Sequence, residues 1–256
     1  MNMDEYTIYS RLLEAMFAIA VITAVTLFKI TAPYGRHERK GWGLTLDERI
    51  GWIIMESPAF LVILICFIIG DRQTDPVAIT FLVLWELHYV QRTFVFPFLL
   101  RKGEKKWPVV LVVFAIVFNT LNGYLNGRYL FFFAPTYPSD WFTDPRFITG
   151  VCLFVGGYVI NRHSDMILRD LRGPGETGYK IPRGGFFRWV SCPNYFGEIV
   201  EWFGWALLTW SVAGLAFAVF TTANLLPRAA AHHTWYLKTF DSEYPDTRKR
   251  LIPFLY

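Results

Sequence analysis

Residues 161–198 read NRHSDMILRDLRGPGETGYKIPRGGFFRWVSCPNYFGE, with one apolar run leading in and another leading out. Asn161, Asp165, Arg169 and Arg172 recur at helical spacing, on one face of a helix that begins inside the apolar run. A Gly/Pro-rich loop follows, and Asn194, Glu198 and Glu201 then recur at helical spacing as the next run opens. The pattern predicts a binding site for a large anionic, hydrogen-bonding ligand at a membrane surface. The plainer alternative is a solvated helix end that pairs Asp165 with Arg169, worth a few tenths of a kcal/mol. That leaves Asn161, one turn deeper among apolar residues, without a reason.

The rest of the chain has the same character. Its 256 residues are 54% hydrophobic and only 18% charged, against roughly 25% charged in a soluble domain. The apolar residues fall in long runs, so the chain belongs to the membrane class. A net charge of +4 gives no reason to expect nucleic acid. Cys66, Cys152 and Cys192 lie far apart, without CxxC or zinc spacing, and no disulfide framework is expected. The acidic start MNMDEY is unlike the basic start of a signal peptide, so the first run reads as a retained span.

A spanning helix needs roughly 20 mostly apolar residues. Seven candidates fall at about 8–30, 50–70, 77–99, 108–126, 146–168, 196–210 and 212–234. The last two are either two short passes or one long kinked helix, with Ser211 and Gly214 near the join. Basic residues decide between these, because Lys and Arg concentrate in cytoplasmic loops. The loops after spans one, three and five, with the C-terminal tail, hold seventeen of them, whereas the opposite loops hold only Arg72, Arg128 and Arg146. All the basic loops share one side only if the chain crosses seven times. The predicted fold is an all-α integral membrane bundle of seven helices and one domain, with the N-terminus outside and the C-terminus cytosolic. The outer loop APTYPSDWFTDP (134–145) reads as a cap with interfacial Trp and Tyr anchors.

Eight ionisable residues fall within the spans: Glu56, Glu86, Arg92, Arg162, Asp165, Glu198, Glu201 and Arg228. An ionised group at the centre of a span costs about 2.5–3.5 kcal/mol, so eight at full depth would cost on the order of 20 kcal/mol. They must face one another, a cavity or a ligand. Structural pairing, for example Glu86 with Arg92, is the simple alternative for any one of them. Glu56 precedes Pro58, which kinks a helix, and Trp52 lies one turn before it on the same face. Glu56 is either a neutral, hydrogen-bonded acid at a kink or a carboxyl kept protonated so that it can donate a hydrogen bond. Glu86, Tyr89 and Arg92 form roughly one stripe. Tyr89 is either a donor to a ligand carbonyl or an interfacial anchor. Arg92 suits a phosphate or a lipid headgroup.

The loop after span five carries Gly173, Gly175, Gly178, Gly184 and Gly185, which let backbone approach a ligand closely. Neither GxGxxG after a strand nor GxxxxGK occurs, so a dinucleotide here would need a non-Rossmann site. Span seven closes with Arg228, His232 and Tyr236 at i, i+4 and i+8. The adjacent His232 and His233 point in different directions on a helix, and no metal site is expected.

The stretches NRHSDMILRDLRGPGETGYKIPRGGFF, NYFGEIVEWFGWAL, HHTWYLKTF and YPDTRKRLIPFLY, with HYVQRTFVFPFLLRKG and ESPAF, resemble the steroid 5-alpha-reductases (3-oxo-5-alpha-steroid 4-dehydrogenases) over nearly the full length. The resemblance implies a seven-helix bundle that binds NADPH from the cytosolic side, chiefly through residues 146–256. It places Asn161, Asp165, Arg172, Tyr179, Asn194, Glu198, Arg228, His232 and Tyr236 at cofactor positions, with Tyr34, Arg36 and Arg92 adding contacts. It makes Glu56 and Tyr89 the catalytic pair that holds a 3-keto oxygen, and Trp52 and Phe118 apolar pocket residues. Met55 stands where the animal enzymes have a Gln, and Lys180 where an Arg is common.

The implied reaction is NADPH-dependent reduction of the Δ4 double bond of a 3-oxo-Δ4-steroid that enters from the bilayer, by a monomer. The implied membrane is the inner membrane if the chain is bacterial, as a homologue of this kind is expected to be, and the endoplasmic reticulum if eukaryotic. The same chemistry would serve a reductase of enoyl-CoA, polyprenal or another sterol. A non-enzymatic lipid transporter is the reading outside enzymes. The one-sided polar cluster and the lack of an inverted repeat count against it.

Overall fold

The structure is a computed structural model that describes residues 4–33, 35–37, 39, 41–100, 106–173, 176 and 178–256. Lys40, Arg101, Lys102, Lys105 and Gly175 lie outside the described residues. Each apolar run forms helix. The elements are α1 (Glu5–Lys29), α2 (Glu48–Ile69), α3 (Pro76–Val90), α4 (Phe96–Leu99), α5 (Val109–Arg128), α6 (Pro145–Asp170), α7 (Pro193–Thr209) and α8 (Val212–Phe240). A π turn over Gln91–Val95 joins α3 to α4 in one continuous rod. Pro97 cannot donate a backbone hydrogen bond to Thr93, and the wider turn, closed by Phe96 N–H to the Gln91 carbonyl, absorbs the loss.

Helix starts follow directly from sequence. Asp4, Asp47, Asp75 and Asp144 each accept a backbone N–H from the first turn of their helix, the usual N-cap bond. Pro76 and Pro145 occupy first-turn positions that need no N–H. The join of the last two runs is a real break. Trp210 takes a left-handed conformation (φ 43°, ψ 45°), and the Ser211 hydroxyl caps α8 by accepting Gly214 N–H at 2.9 Å.

The helical segments run back and forth between two ends. At one end, β1 (Thr45–Asp47) pairs antiparallel with β2 (Lys106–Pro108), Leu46 opposite Trp107. This ribbon is the one departure, among the described residues, from an all-helical chain. At the same end Arg49 donates to the Leu100 carbonyl at 2.7 Å, Arg248 donates to the Pro182 carbonyl at 2.9 Å, and Val190 bridges Lys249. The four basic segments thus meet one another. At the other end Arg128 pairs with Glu5 and Arg72 donates to the Ala134 and Pro135 carbonyls. Here the expected interfacial anchors prove different. Trp141 is buried and donates to the Leu208 carbonyl at 3.1 Å, and half-buried Tyr137 donates to Thr209 at 2.6 Å. Both satisfy the last carbonyls of α7, which would otherwise lack partners.

Four helices are long and apolar enough to cross a membrane, by length and composition: Glu5–Lys29, Glu48–Ile69, Val109–Phe133 and Val212–Glu243. Their outer faces expose Val21, Ile22, Phe28, Ile65, Phe114 and Val117. Helix α6 carries polar residues on its inner face, and α7 is only 17 residues long. Those two pack more closely than any side chain would allow. A Cβ on Gly157 would lie 2.5 Å from the Gly197 carbonyl oxygen, and one on Gly197 would lie 2.5 Å from Asn161 N. Small residues at such seams let helix backbones touch, the usual source of helix association where lipid supplies no hydrophobic drive. Next to this seam sits an aromatic core of Phe81, Trp85, Phe154, Trp202, Trp205 and Phe217.

Candidate active site

The polar groups of α6 and α7 turn inward beside the α6–α7 seam and meet α2 and α3. Asn161 donates to the Asn194 carbonyl at 2.9 Å and to Glu198 Oε2 at 3.3 Å, and Asn194 donates to Asp165 Oδ1 at 3.1 Å. Asp165 does not pair with Arg169, whose partner is Asp170. It takes Arg162 at 3.3 Å and Arg92 at 3.8 Å instead. Arg162 also binds Asn161 and Gln91, and so ties α6 to the π turn. The predicted stripe of Glu86, Tyr89 and Arg92 is therefore not a unit. The π turn carries Arg92 inward, over the Trp52 ring at 4.4 Å and Phe96 at 4.8 Å. Glu198, Glu56 and Asp165 are the carboxylates that oppose the Arg92 charge. The carboxyl of Glu86 lies to the side, with no hydrogen-bond partner among the described residues.

Glu56 and Tyr89 come from α2 and α3, which pack on each other. Tyr89 is buried, and Glu56, Glu198 and Glu201 are the carboxylates nearest to it electrostatically. The Tyr89 ring packs on Trp85 at 5.0 Å and on Trp202 at 5.9 Å, so it is a core residue and not an interfacial anchor. One turn below Glu56, Trp52 packs edge-on against Phe96 and Trp107. Phe118 sits on α5 and stacks on Phe220 at 3.9 Å.

A second polar cluster gathers loop one, α8 and the loop before α7. Arg228 donates to the Tyr195 hydroxyl at 3.2 Å, Tyr195 bonds His232 Nε2 at 3.1 Å, and His232 Nδ1 bonds His37 Nε2 at 3.2 Å. Burial, and then the charges of Arg36, Arg39 and Arg228, hold His37 below the ordinary histidine pKa, so it is neutral at pH 7. Arg36 donates to the Tyr236 hydroxyl at 3.2 Å and lies over the rings of Trp235 and Tyr236, each at 4.6 Å, and of Tyr179 at 5.3 Å. Its Nη1 is buried with no hydrogen-bond partner among the described residues. Arg172 faces the same Tyr179 ring at 5.7 Å. Tyr195 joins the clusters, because its chain neighbour Asn194 is held by Asn161 and Asp165. His233 turns away and bonds Ser191 at 2.6 Å.

Most of the expected site residues thus fall on one polar path from Glu56 to Tyr236. Tyr34 lies outside the described residues. Gln91, Tyr195, His37 and Trp235 belong to the path and were not expected there; Arg162, expected only to face another charge, a cavity or a ligand, pairs with Asp165. Tyr195 and His37 adjoin Asn194 and Arg36 in sequence, but both lie where no periodicity assigns a face. Glu201, expected on the same face as Glu198, turns to His88 instead, at 2.7 Å, in a fully buried pair.

The arrangement offers cations and aromatic faces at the basic end, amides and carboxylates at mid-depth, and a carboxyl with a phenol deeper in. That suits a long, phosphate-bearing polar ligand held against an apolar one that has a carbonyl. The sequence model of the family 3-oxo-5-alpha-steroid 4-dehydrogenase matches residues 105–256. The chain is 47% identical to 3-oxo-5-alpha-steroid 4-dehydrogenase 1 of Bos taurus over 93% of each chain. It is 46% identical to the Rattus norvegicus protein of that name, over 100% of this chain and 98% of the relative. It is 43% identical to a steroid 5-alpha-reductase of Arabidopsis thaliana over 91% of each. The chain belongs to the steroid 5-alpha-reductase family, and is an integral membrane oxidoreductase acting on CH–CH groups.

Proposed function

We propose that the protein reduces the Δ4 double bond of a 3-oxo-Δ4-steroid to the 5α-dihydro steroid, with NADPH as reductant. What supports this is that buried Tyr89 lies within electrostatic reach of the Glu56 carboxyl across the packed α2 and α3, with further polar groups extending from there toward Arg36. Glu56, protonated, and the Tyr89 hydroxyl donate hydrogen bonds to the 3-keto oxygen. They draw electron density from the conjugated double bond and stabilise the enolate that develops on the substrate, as an oxyanion hole does. Trp52 and Phe118 bound the apolar side. Carbon 4 then takes a proton and the ketone returns.

The residues fit NADPH on one structural count above all. Arg36 keeps a buried Nη1 beside three aromatic rings, without a hydrogen-bond partner among the described residues, and such a donor suits an acceptor like phosphate. Arg172, Tyr179, Arg228, His232 and Tyr236 would share the phosphate and adenosine end. Asn161, Asp165, Asn194, Glu198 and Arg92 would hold the other. Bound there, NADPH supplies the hydride that reduces carbon 5 on the alpha face. The cofactor side then reaches beyond residues 146–256 to Arg36 and Arg92. In this reading all seven helical segments span the bilayer, the basic end faces the cytosol, and a monomer takes its substrate from lipid.

NADPH oxidation by purified protein in detergent, with and without a Δ4-3-keto steroid, tests the proposal. Oxidation that depends on the steroid supports it. Oxidation driven only by an enoyl-CoA, with the steroid inert, replaces the substrate and keeps the chemistry. Arg36→Leu should weaken NADPH binding about tenfold to a hundredfold, the worth of a charged hydrogen bond of about 1.5–3 kcal/mol. Titration by the quenching of tryptophan fluorescence reads this, and an unchanged affinity would remove Arg36 from the site.

A further inference from the structure

Asn119 lies in the apolar run of α5, on the face turned toward the kink of α2. It is buried, with only 6% of its surface exposed. Its Nδ2 donates to the Met55 carbonyl at 2.6 Å and to Glu56 Oε2 at 3.2 Å. The backbone around Pro58 makes this possible. Pro58 has no N–H for the Ile54 carbonyl, and its ring crowds the preceding turn, so the ladder is loosened next to Met55. The neighbouring carbonyl on this stretch, Ala59, likewise takes a side-chain donor, Trp85 Nε1 at 3.0 Å. The orientation of the amide is not arbitrary. A backbone carbonyl can only accept, so the atom facing Met55 must be the nitrogen. Both of its hydrogens are then used, one on Met55 and one on Glu56.

This has a consequence for the acid. A protonated carboxyl has one hydroxyl oxygen that donates and one carbonyl oxygen that accepts. Oε2 receives a hydrogen from Asn119, so it is the accepting oxygen. The carbonyl oxygen of a carboxyl is the stronger acceptor, so the Asn119 hydrogen favours the form of the neutral acid with its proton on Oε1, the oxygen that Asn119 leaves free. We propose that Asn119 is a positioning residue for Glu56: it fixes which oxygen carries the proton and aims that hydroxyl at the substrate carbonyl. Without Asn119 the carboxyl can rotate, place its proton toward the Met55 carbonyl, and present an acceptor to the ketone. The side chain of Met55 is buried against Trp107 and Val112 and carries no donor that could serve in its place. The amide of this chain comes from the facing helix.

The proposal rests on the role given to Glu56 above, and a double-mutant cycle separates the two. Product formation from NADPH and a Δ4-3-keto steroid is measured by mass spectrometry for the unaltered chain, Asn119→Leu, Glu56→Leu and the double variant. Asn119→Leu is expected to lower kcat about 10- to 100-fold, in the range of a lost charged or neutral hydrogen bond at a reacting group, with KM for NADPH unchanged. In the Glu56→Leu chain the same change is expected to cost less than about twofold, because no acid remains to be oriented. A role in packing alone would cost the same factor in both chains, and that result would overturn the proposal. If Glu56→Leu itself leaves turnover intact, the carbonyl-activation reading fails, and Asn119 has nothing to position. Should Asn119→Leu not show the NADPH-induced rise in Tm that marks a folded protein, Asn119→Asp replaces it in the cycle. It keeps the size and can donate at most one hydrogen, and the same two outcomes decide.

Discussion

Glu56→Leu is expected to lower turnover by about 10²–10³, the usual cost of one lost oxyanion donor, while leaving NADPH affinity within about threefold. The two effects separate because, of the residues that would hold the cofactor, Arg92 is the one that faces the Glu56 charge, and Glu198 and Asp165 oppose its charge as well. Asp165 and Glu198 have their own partners in Arg162, Asn194 and Asn161. The loss should appear in kcat and kcat/KM alike, since the interaction is made fully only when charge reaches the carbonyl oxygen. Leucine is close to glutamate in size and has no donor, and Asn119 keeps its bond to the Met55 carbonyl, so the packing of α2 on α5 persists. Turnover within about threefold of the unaltered protein would remove Glu56 from the chemistry.

The second large effect concerns the fold. Gly157→Val should prevent the protein from accumulating, or lower its stability by more than about 3 kcal/mol, the upper part of the range for overpacking. The added side chain would meet the backbone of Gly197 and Glu201. A backbone cannot turn aside as a side chain can, so α6 and α7 must separate. That would also pull Asn161 from Asn194 and Glu198. The neighbouring Gly156 gives the control. A Cβ there meets nothing within 4 Å, so Gly156→Ala should be neutral or add a few tenths of a kcal/mol through helix propensity. Thermal melting in detergent with and without NADPH measures both. Equal behaviour of the two variants would show that the seam does not set the bundle.

The helices were legible because apolar runs and their caps are local signals. The expected spans at about 77–99 and 146–168 begin one residue inside α3 and α6, which start at Pro76 and Pro145. The basic loops read as sharing one side, and in the structure their backbones and side chains meet at one end. The ribbon of Leu46 and Trp107 was not legible, since three residues per strand are too few to show alternation. The π turn was hidden as well: a helix that widens by one residue changes where Arg92 points without changing composition. Tyr137 and Trp141 looked like interfacial anchors because composition gives a ring and a polar tip. Only the chain path shows that those tips end on α7 carbonyls. In the site, Asn161 and Asp165 stood out as polar groups in an apolar run. Asn119, Asn122 and Asn126 did so equally, at i, i+3 and i+7. Asn126 serves packing, accepting from Trp205 Nε1 at 2.9 Å, whereas Asn119 reaches Glu56. Sequence spacing places them on one face and cannot tell these tasks apart.

The central claim is that the polar path delivers a hydride to a double bond whose ketone rests on Glu56 and Tyr89. Isotope transfer reads it directly. Purified protein is given testosterone and NADPH tritiated at the transferable position, and the product is isolated and mapped. The account predicts a 5α-dihydro steroid with the label at carbon 5. Product without label, or label released only into water, would contradict it.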